Sequence, residues 1–216
     1  MNNLETIIGY TFKDKSLLNM ALTHSSYANE NKVKNYERLE FLGDSLLEYI
    51  VSDYIYKNFP AEKEGNLTKI RAKMVQEKTL ADIVLNLGVS QFVRVGRSLK
   101  NDIKQSILCD VYESLLGAIY LDSNLDNAYN YVLKTLVKDK KNVEDFENLI
   151  IDYKTPLQEL CQAKNLKLDY KSSGRGDSFK VQLFVNDELT SVCKAKSIKE
   201  AEQMCAKNVY NQINKN

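Results

Sequence analysis

Glu37, Glu40 and Asp44 stand at i, i+3 and i+7 in the run Glu37-Arg38-Leu39-Glu40-Phe41-Leu42-Gly43-Asp44-Ser45, with Glu48 four residues further on. At about 100° per residue, an α-helix gathers the first three carboxylates into one narrow sector and lets Glu48 extend the stripe. Like charges at this spacing cost a helix roughly 0.2–0.5 kcal/mol per pair, a cost that a bound cation would reverse. A second run, Ile107-Leu108-Cys109-Asp110-Val111-Tyr112-Glu113-Ser114-Leu115-Leu116-Gly117, repeats the device with Asp110 and Glu113 at i,i+3. Each run also carries a glycine, Gly43 or Gly117, at a helix-propensity cost of roughly 1 kcal/mol against Ala. That cost is tolerable where two helix backbones must approach closely beside the acids. Glu40, Asp44, Asp110 and Glu113 then form an all-oxygen donor set from two helices. Such a set suits a hard cation, Mg²⁺ or Mn²⁺, and fits zinc poorly.

The helix that carries the first stripe needs a core face to hold it in place. Leu39, Leu42, Leu46, Leu47, Ile50 and Tyr54 provide one on the side away from the acids. Phe41 does not belong to that side: it falls within the acidic sector, roughly opposite the apolar face. An acidic stripe is most often a solvated helix face, but a solvated face has no use for an aromatic unless a partner covers it.

The first run resembles the signature of the ribonuclease III family, and Asp110-Val111-Tyr112-Glu113 resembles its second catalytic segment. Ala21-Leu22-Thr23-His24-Ser25-Ser26-Tyr27, Glu64-Gly65-Asn66-Leu67-Thr68-Lys69-Ile70-Arg71 and Gly117-Ala118-Ile119-Tyr120-Leu121-Asp122 are similar to further family stretches. A nine-residue match with correctly ordered partners is far more specific than a lone short motif. The resemblance implies that Glu40, Asp110 and Glu113 ligate the metal, that Asp44 completes the acidic site as a catalytic group beside Glu113, and that Glu37 and Glu64 support cleavage. It implies hydrolysis of phosphodiester bonds in double-stranded RNA, leaving 5′-phosphate and 3′-hydroxyl ends, with Mg²⁺ as cofactor and Mn²⁺ as a substitute. Precursor ribosomal RNA and structured messenger RNA are the expected substrates, with no small-molecule substrate. A homodimer is implied as well, Phe41 inserting into the partner subunit.

Composition is compatible with this. At 216 residues and 44% hydrophobic content, the chain is long enough for two domains with ordinary cores. No membrane span is expected, and the opening Met1-Asn2-Asn3-Leu4-Glu5 lacks the pattern of a signal peptide, so a cytoplasmic location is expected. Cys109, Cys161, Cys193 and Cys205 have no metal-site spacing and read as reduced, mostly buried thiols. His24, the one histidine, reads as structural. The net charge of +1 conceals an asymmetry: residues 1–149 carry 19 Lys and Arg against 21 Asp and Glu, and residues 150–216 carry 11 against 8. The basic excess therefore lies at the C-terminal end, where a nucleic acid would bind.

Residues 1–145 read as an all-α catalytic domain, with breaks at Asn58-Phe59-Pro60, Glu64-Gly65-Asn66, Leu87-Gly88-Val89 and Asp122-Ser123-Asn124. The charged stretch Lys138–Asp145 is a linker or a frayed helix end, and the boundary is expected near residue 150. Residues 152–216 read differently, as a small α+β unit of order αβββα. Thr155-Pro156-Leu157-Gln158 predicts a helix start capped by Thr155. Phe179, Val181, Leu183 and Val185 alternate with Lys180, Gln182 and Phe184, and Asn186-Asp187 suits a tight turn into a strand over 188–196. Ser197-Ile198-Lys199-Glu200 is a capping box, and Ile198, Ala201, Cys205 and Val209 supply the last helix with a core face. This unit resembles a double-stranded-RNA-binding domain, and the resemblance implies RNA contacts from Gln158, Arg175, Lys199, Gln203 and Lys207. Two departures stand out. The loop over 172–178 lacks the usual Pro and His, and Ile198 replaces a common lysine. Reading duplex shape, such a domain implies little sequence specificity. A non-cleaving double-stranded-RNA-binding or ribosome-associated protein on the same two domains is the first alternative, which loss of the carboxylates would favour, and all four are present; a metal-binding scaffold without RNA function is the second, and it leaves residues 152–216 unexplained.

Overall fold

The computed structural model describes residues 2–60, 62–100, 102–138, 152–176 and 178–214. The chain divides into two compact units, Met1–Val143 and Glu144–Asn216. The expected boundary near residue 150, and the charged stretch beyond Lys138, lie outside the described residues.

Apart from a single bridge between Thr23 and Arg94, the described part of the first unit is helical: α1 (Asn2–Ile8), α2 (Lys15–Ala21), α3 (Ser25–Asn31), α4 (Glu37–Asn58), α5 (Glu64–Met74), α6 (Glu77–Asn86), α7 (Gln105–Asp122) and α8 (Leu125–Val132), which runs on into a π-helical turn over Leu133–Val137. The pair α4 and α7 shares the most extensive packing. Along α4, Leu39, Leu47, Ile50, Val51 and Ile55 recur at helical spacing and are buried. Glu37 and Glu40 occupy its first turn, where carboxylates complement the positive helix end. The helix stops at Asn58, two residues before Pro60, whose ring drives the residue ahead of it out of α geometry.

The buried arc of α4 runs through Gly43, whereas Leu42, Leu46 and Tyr54, expected in the core, are only half-buried. Close approach of α7 is the reason. A Cβ on Gly43 would collide with the Glu113 carbonyl oxygen, and one on Gly117 with the Leu39 carbonyl oxygen. The two helices therefore meet glycine to backbone beside both acidic runs, as the paired glycines predict. The expected break at Glu64-Gly65-Asn66 does not occur: these residues form the first turn of α5, and Gly65 touches nothing within 4 Å that would exclude a side chain. The break at Gly88 does occur, in the left-handed region at φ 72°, and Asn124 caps α8 by accepting the Asn127 N–H at 3.0 Å.

The second unit comprises α9 (Lys154–Ala163), β1 (Leu168–Arg175), β2 (Ser178–Val185), β3 (Glu188–Ala195) and α10 (Ile198–Asn214), with an antiparallel sheet of order β1-β2-β3. The predicted αβββα order is the observed one. Asn186 and Asp187 have φ of 50° and 67°, the pair of positive values that a two-residue primed hairpin requires. Val181, Leu183 and Cys193 of the sheet are buried together with Leu157 and Cys161 of α9 and Ala201, Cys205, Ala206 and Val209 of α10.

Three local features of this unit differ from expectation. Asp152, not Thr155, caps α9: its carboxylate accepts the Lys154 and Thr155 N–H groups and the Thr155 hydroxyl, and a charged acceptor outcompetes a hydroxyl. The expected loop over 172–178 is mostly strand, with β1 paired to β2 out to Arg175 opposite Ser178. Ile198 is 40% exposed instead of joining the core, because it opens the first turn of α10. The Ser197 cap forms as expected, its hydroxyl accepting the Glu200 N–H at 3.2 Å.

Candidate active site

One ligand oxygen each from Glu40, Asp110 and Glu113 lies within 4.8 Å of the others, and all three residues are half-buried. Glu40 is held by the first turn of α4; Asp110 and Glu113 project from the first half of α7. Close packing at Gly43 and Gly117 brings the two helices to this distance.

Burial, followed by repulsion from Asp110, Glu37 and Asp44, pushes the Glu40 carboxyl up to about 7. Burial, followed by repulsion from Asp44, Asp110 and Glu40, pushes Glu113 up to about 8, against a partly compensating hydrogen bond from the Cys109 thiol. Asp110 is also raised, chiefly by burial, with the Tyr36 hydrogen bond and the nearby His24 opposing. Such crowded, partly desolvated carboxylates are held at a cost unless a cation neutralises them. The donors are all carboxylate oxygens, and oxygen donors at these separations fit a hard divalent ion.

The expected residues do not all join the cluster. Asp44 and Glu37 are exposed but close enough to perturb it. Glu48, the continuation of the stripe, instead pairs with Arg71 Nε at 2.9 Å. Glu64 stands at the start of α5, beside a separate cleft of about 610 Å³ lined by Tyr49, Ser52, Tyr56 and Arg71, and accepts a hydrogen bond from Thr68. Phe41 projects at 79% exposure beside a groove of about 930 Å³ lined by Met20, Val33, Leu42 and Leu121.

Two residues near the cluster escaped the sequence reading of the site. Tyr36, buried, donates its hydroxyl to Asp110 Oδ2 at 2.9 Å. Its signal was its position: a tyrosine stands where a helix ordinarily takes a small polar cap. Glu77, at the start of α6, adds a further negative charge near Asp110. His24 caps α3, its Nδ1 accepting the Ser26 N–H, which gives it the structural task expected of it. All four cysteines are buried free thiols.

In the second unit, Gln158 on α9, Arg175 at the hairpin end and Lys199 in the first turn of α10 are exposed. Gln203 differs. Its Oε1 accepts the Tyr153 N–H at 2.6 Å and its Nε2 donates to Asp152 Oδ1 at 3.0 Å, so its amide ties α10 to the start of α9. Lys207 lies over the Tyr153 ring at 5.5 Å. The row of Lys199, Gln203 and Lys207 expected from helical spacing is thus interrupted by a residue engaged within the fold.

Residues 14–140 match the family model described as Ribonuclease-III-like, and residues 153–213 match the double-stranded RNA binding motif. Ribonuclease 3 of Streptococcus gordonii is 36% identical over 99% of this chain and 98% of its own length. Ribonuclease 3 of Campylobacter curvus is 35% identical over 100% and 99%. A crystal structure of the ribonuclease III nuclease domain from Campylobacter jejuni superposes with a TM-score of 0.60 at 39% identity, covering 64% of this chain and 94% of that one. A second structure of that domain, with the same score and identity, is described for flexibility in a region involved in its dimer formation.

Proposed function

The chain belongs to the ribonuclease III family, and from that premise we propose a metal-dependent mechanism in which Glu40, Asp110 and Glu113 hold Mg²⁺, or Mn²⁺ in its place. It is a double-stranded-RNA endoribonuclease. One observation carries the mechanism: three carboxylates from two helices converge within 4.8 Å, with no Lys or Arg side chain bonded to any of them among the described residues. A bound divalent ion would lower the pKa of its water, screen the scissile phosphate and steady the leaving oxygen.

The chain's own residues do the rest. Glu40, Asp110 and Glu113 would have to be ionised to hold the ion, so the raised carboxyls of Glu40 and Glu113 would have to give up their protons for it to be held. Asp44, exposed and near enough to raise the Glu40 and Glu113 carboxyls, receives a proton or orients a water in this reading, and Glu37 adds negative charge beside Glu40. Products carry 5′-phosphate and 3′-hydroxyl ends. Glu64 acts from outside this cluster. With Phe41 standing out of the fold at 79% exposure, we assign the active enzyme as a homodimer in which Phe41 enters the partner subunit.

Residues 1–145 form the catalytic domain and residues 152–216 the RNA-binding domain. In the latter, Gln158, Arg175 and Lys199 meet the duplex, Lys207 adds charge nearby, and Gln203 serves by fixing α9 against α10. Processing of ribosomal RNA precursors and structured messenger RNA in the cytoplasm is the assigned role. No helix among the described residues is long and apolar enough to cross a membrane. Incubation with long duplex RNA is the direct test: cleavage with Mg²⁺ and none with EDTA is the expected result. Undiminished cleavage in EDTA would refute the metal mechanism.

A further inference from the structure

Tyr36 stands at the head of α4, is 2% exposed, and makes no side-chain cap for that helix. Its ring reaches across to α7 instead, where the hydroxyl donates to Asp110 Oδ2 at 2.9 Å. Its backbone is equally committed. The Tyr36 carbonyl accepts the Leu39 N–H at 2.7 Å and the Glu40 N–H at 2.9 Å, and its own N–H donates to the Thr23 carbonyl at 3.0 Å. One residue therefore sets the first turn of the helix bearing Glu40 and holds the carboxylate facing it from the other helix. The ring cannot swing away easily, because it packs on the His24 imidazole at 5.8 Å and His24 is itself fixed by its cap to Ser26.

We infer that Tyr36 is a positioning residue of the metal centre, its hydroxyl holding the Asp110 carboxylate in the orientation the ion requires. The inference rests on the metal mechanism proposed above and extends it to a neutral side chain outside the donor set. A ligating carboxylate that loses its hydrogen-bond donor regains rotational freedom, and loss of such an outer partner typically weakens metal binding about 10- to 100-fold.

Mn²⁺ binding by the full-length protein without RNA, followed through the free-ion electron paramagnetic resonance signal, tests this apart from catalysis. Tyr36→Phe keeps the ring and removes the donor. Tyr129→Phe is the matched control, since it removes a Tyr129 hydroxyl bond of 2.9 Å to Asp53, which lies further along α4 from the acids. Tyr36→Phe should bind Mn²⁺ at least about tenfold more weakly, with Tyr129→Phe unchanged. Its cleavage should recover at high Mg²⁺ with the KM for duplex RNA unaltered. Added to Asp110→Asn, the same change should cost nothing more, because Tyr36 acts through Asp110. Wild-type affinity in a folded Tyr36→Phe protein, or an equal loss in Tyr129→Phe, would overturn the assignment. If the wild-type protein itself bound no Mn²⁺, the metal mechanism would fall first and this inference with it.

Discussion

Gly43→Ala is the substitution whose effect the structure specifies most sharply. The added methyl points at the Glu113 carbonyl oxygen on α7. A flexible side chain could rotate aside, but a backbone carbonyl inside a helix cannot, so α4 and α7 must separate. Overpacking a tight core contact costs typically 1–3 kcal/mol, and a rigid acceptor places this case near the upper end. Ala returns about 1 kcal/mol of helix propensity, leaving a net loss of about 2 kcal/mol. For a unit of this size, each kcal/mol moves the midpoint by roughly 4 °C, so thermal unfolding followed by circular dichroism should show a fall of roughly 8 °C. The chemistry should suffer more than the fold, since the same separation draws Glu113 away from Glu40. A displacement near 1 Å can cost about 100-fold in rate. Cleavage at saturating Mg²⁺, measured well below the new midpoint, should fall by about that factor. Gly65→Ala, which meets nothing within 4 Å inside α5, is the control: its midpoint should not fall, helix propensity raising it by up to roughly 4 °C, and its cleavage should stay near wild type. A Gly43→Ala protein that melts with the wild type and cleaves normally would refute the close-packed account of how the carboxylates are assembled.

The carboxyls of Glu40 and Glu113 lie near 7 and 8 in the folded protein against an ordinary 4.5, so folding takes up protons. Their stabilising contribution is full below about pH 4.5 and is lost as pH rises through 7 to 8. The metal-free midpoint should therefore drop between pH 5.5 and 8.5, and saturating Mg²⁺ should flatten that drop; a level metal-free profile would contradict the electrostatics. Glu113→Gln should abolish Mg²⁺-supported cleavage while retaining duplex binding in a gel-shift assay, and substantial residual cleavage would remove Glu113 from the ligand set. Light scattering at micromolar concentration should report a dimer that Phe41→Ala weakens, whereas a wild-type monomer with full double-strand cleavage would exclude the assigned interface. Truncation near residue 150 should leave cleavage intact at low salt and lose it steeply as salt rises, because the phosphate contacts of the second unit are lost. Equal activity of the truncated and full-length proteins at physiological salt would assign residues 152–216 another task.

The acidic faces of this protein were legible in its sequence because helical spacing is a local property. Once a run is helical, residues at i, i+3 and i+7 share a face, so the grouping of Glu37, Glu40 and Asp44, the pairing of Asp110 with Glu113, and the misfit of Phe41 followed from geometry within single helices. The alternation in β2 and the Asn186-Asp187 turn were legible for the same reason. That the two acidic runs would meet was expected from their paired glycines, but which of the four carboxylates converge is not local. Asp110 lies 70 residues from Glu40, and only the packing of Gly43 and Gly117 against facing backbone places the two beside each other. That packing also moved the core arc of α4 onto Gly43 and off Leu42 and Leu46. Competition for partners was equally hidden. Glu48 left the acidic stripe for Arg71, Gln203 left the RNA-facing row for Tyr153 and Asp152, and Asp152 displaced Thr155 as a cap. In each case a polar group took the strongest partner that folding brought within reach. Tyr36 shows the limit most clearly: its ring belongs to α4 by sequence, but its function is decided by a carboxylate 74 residues away.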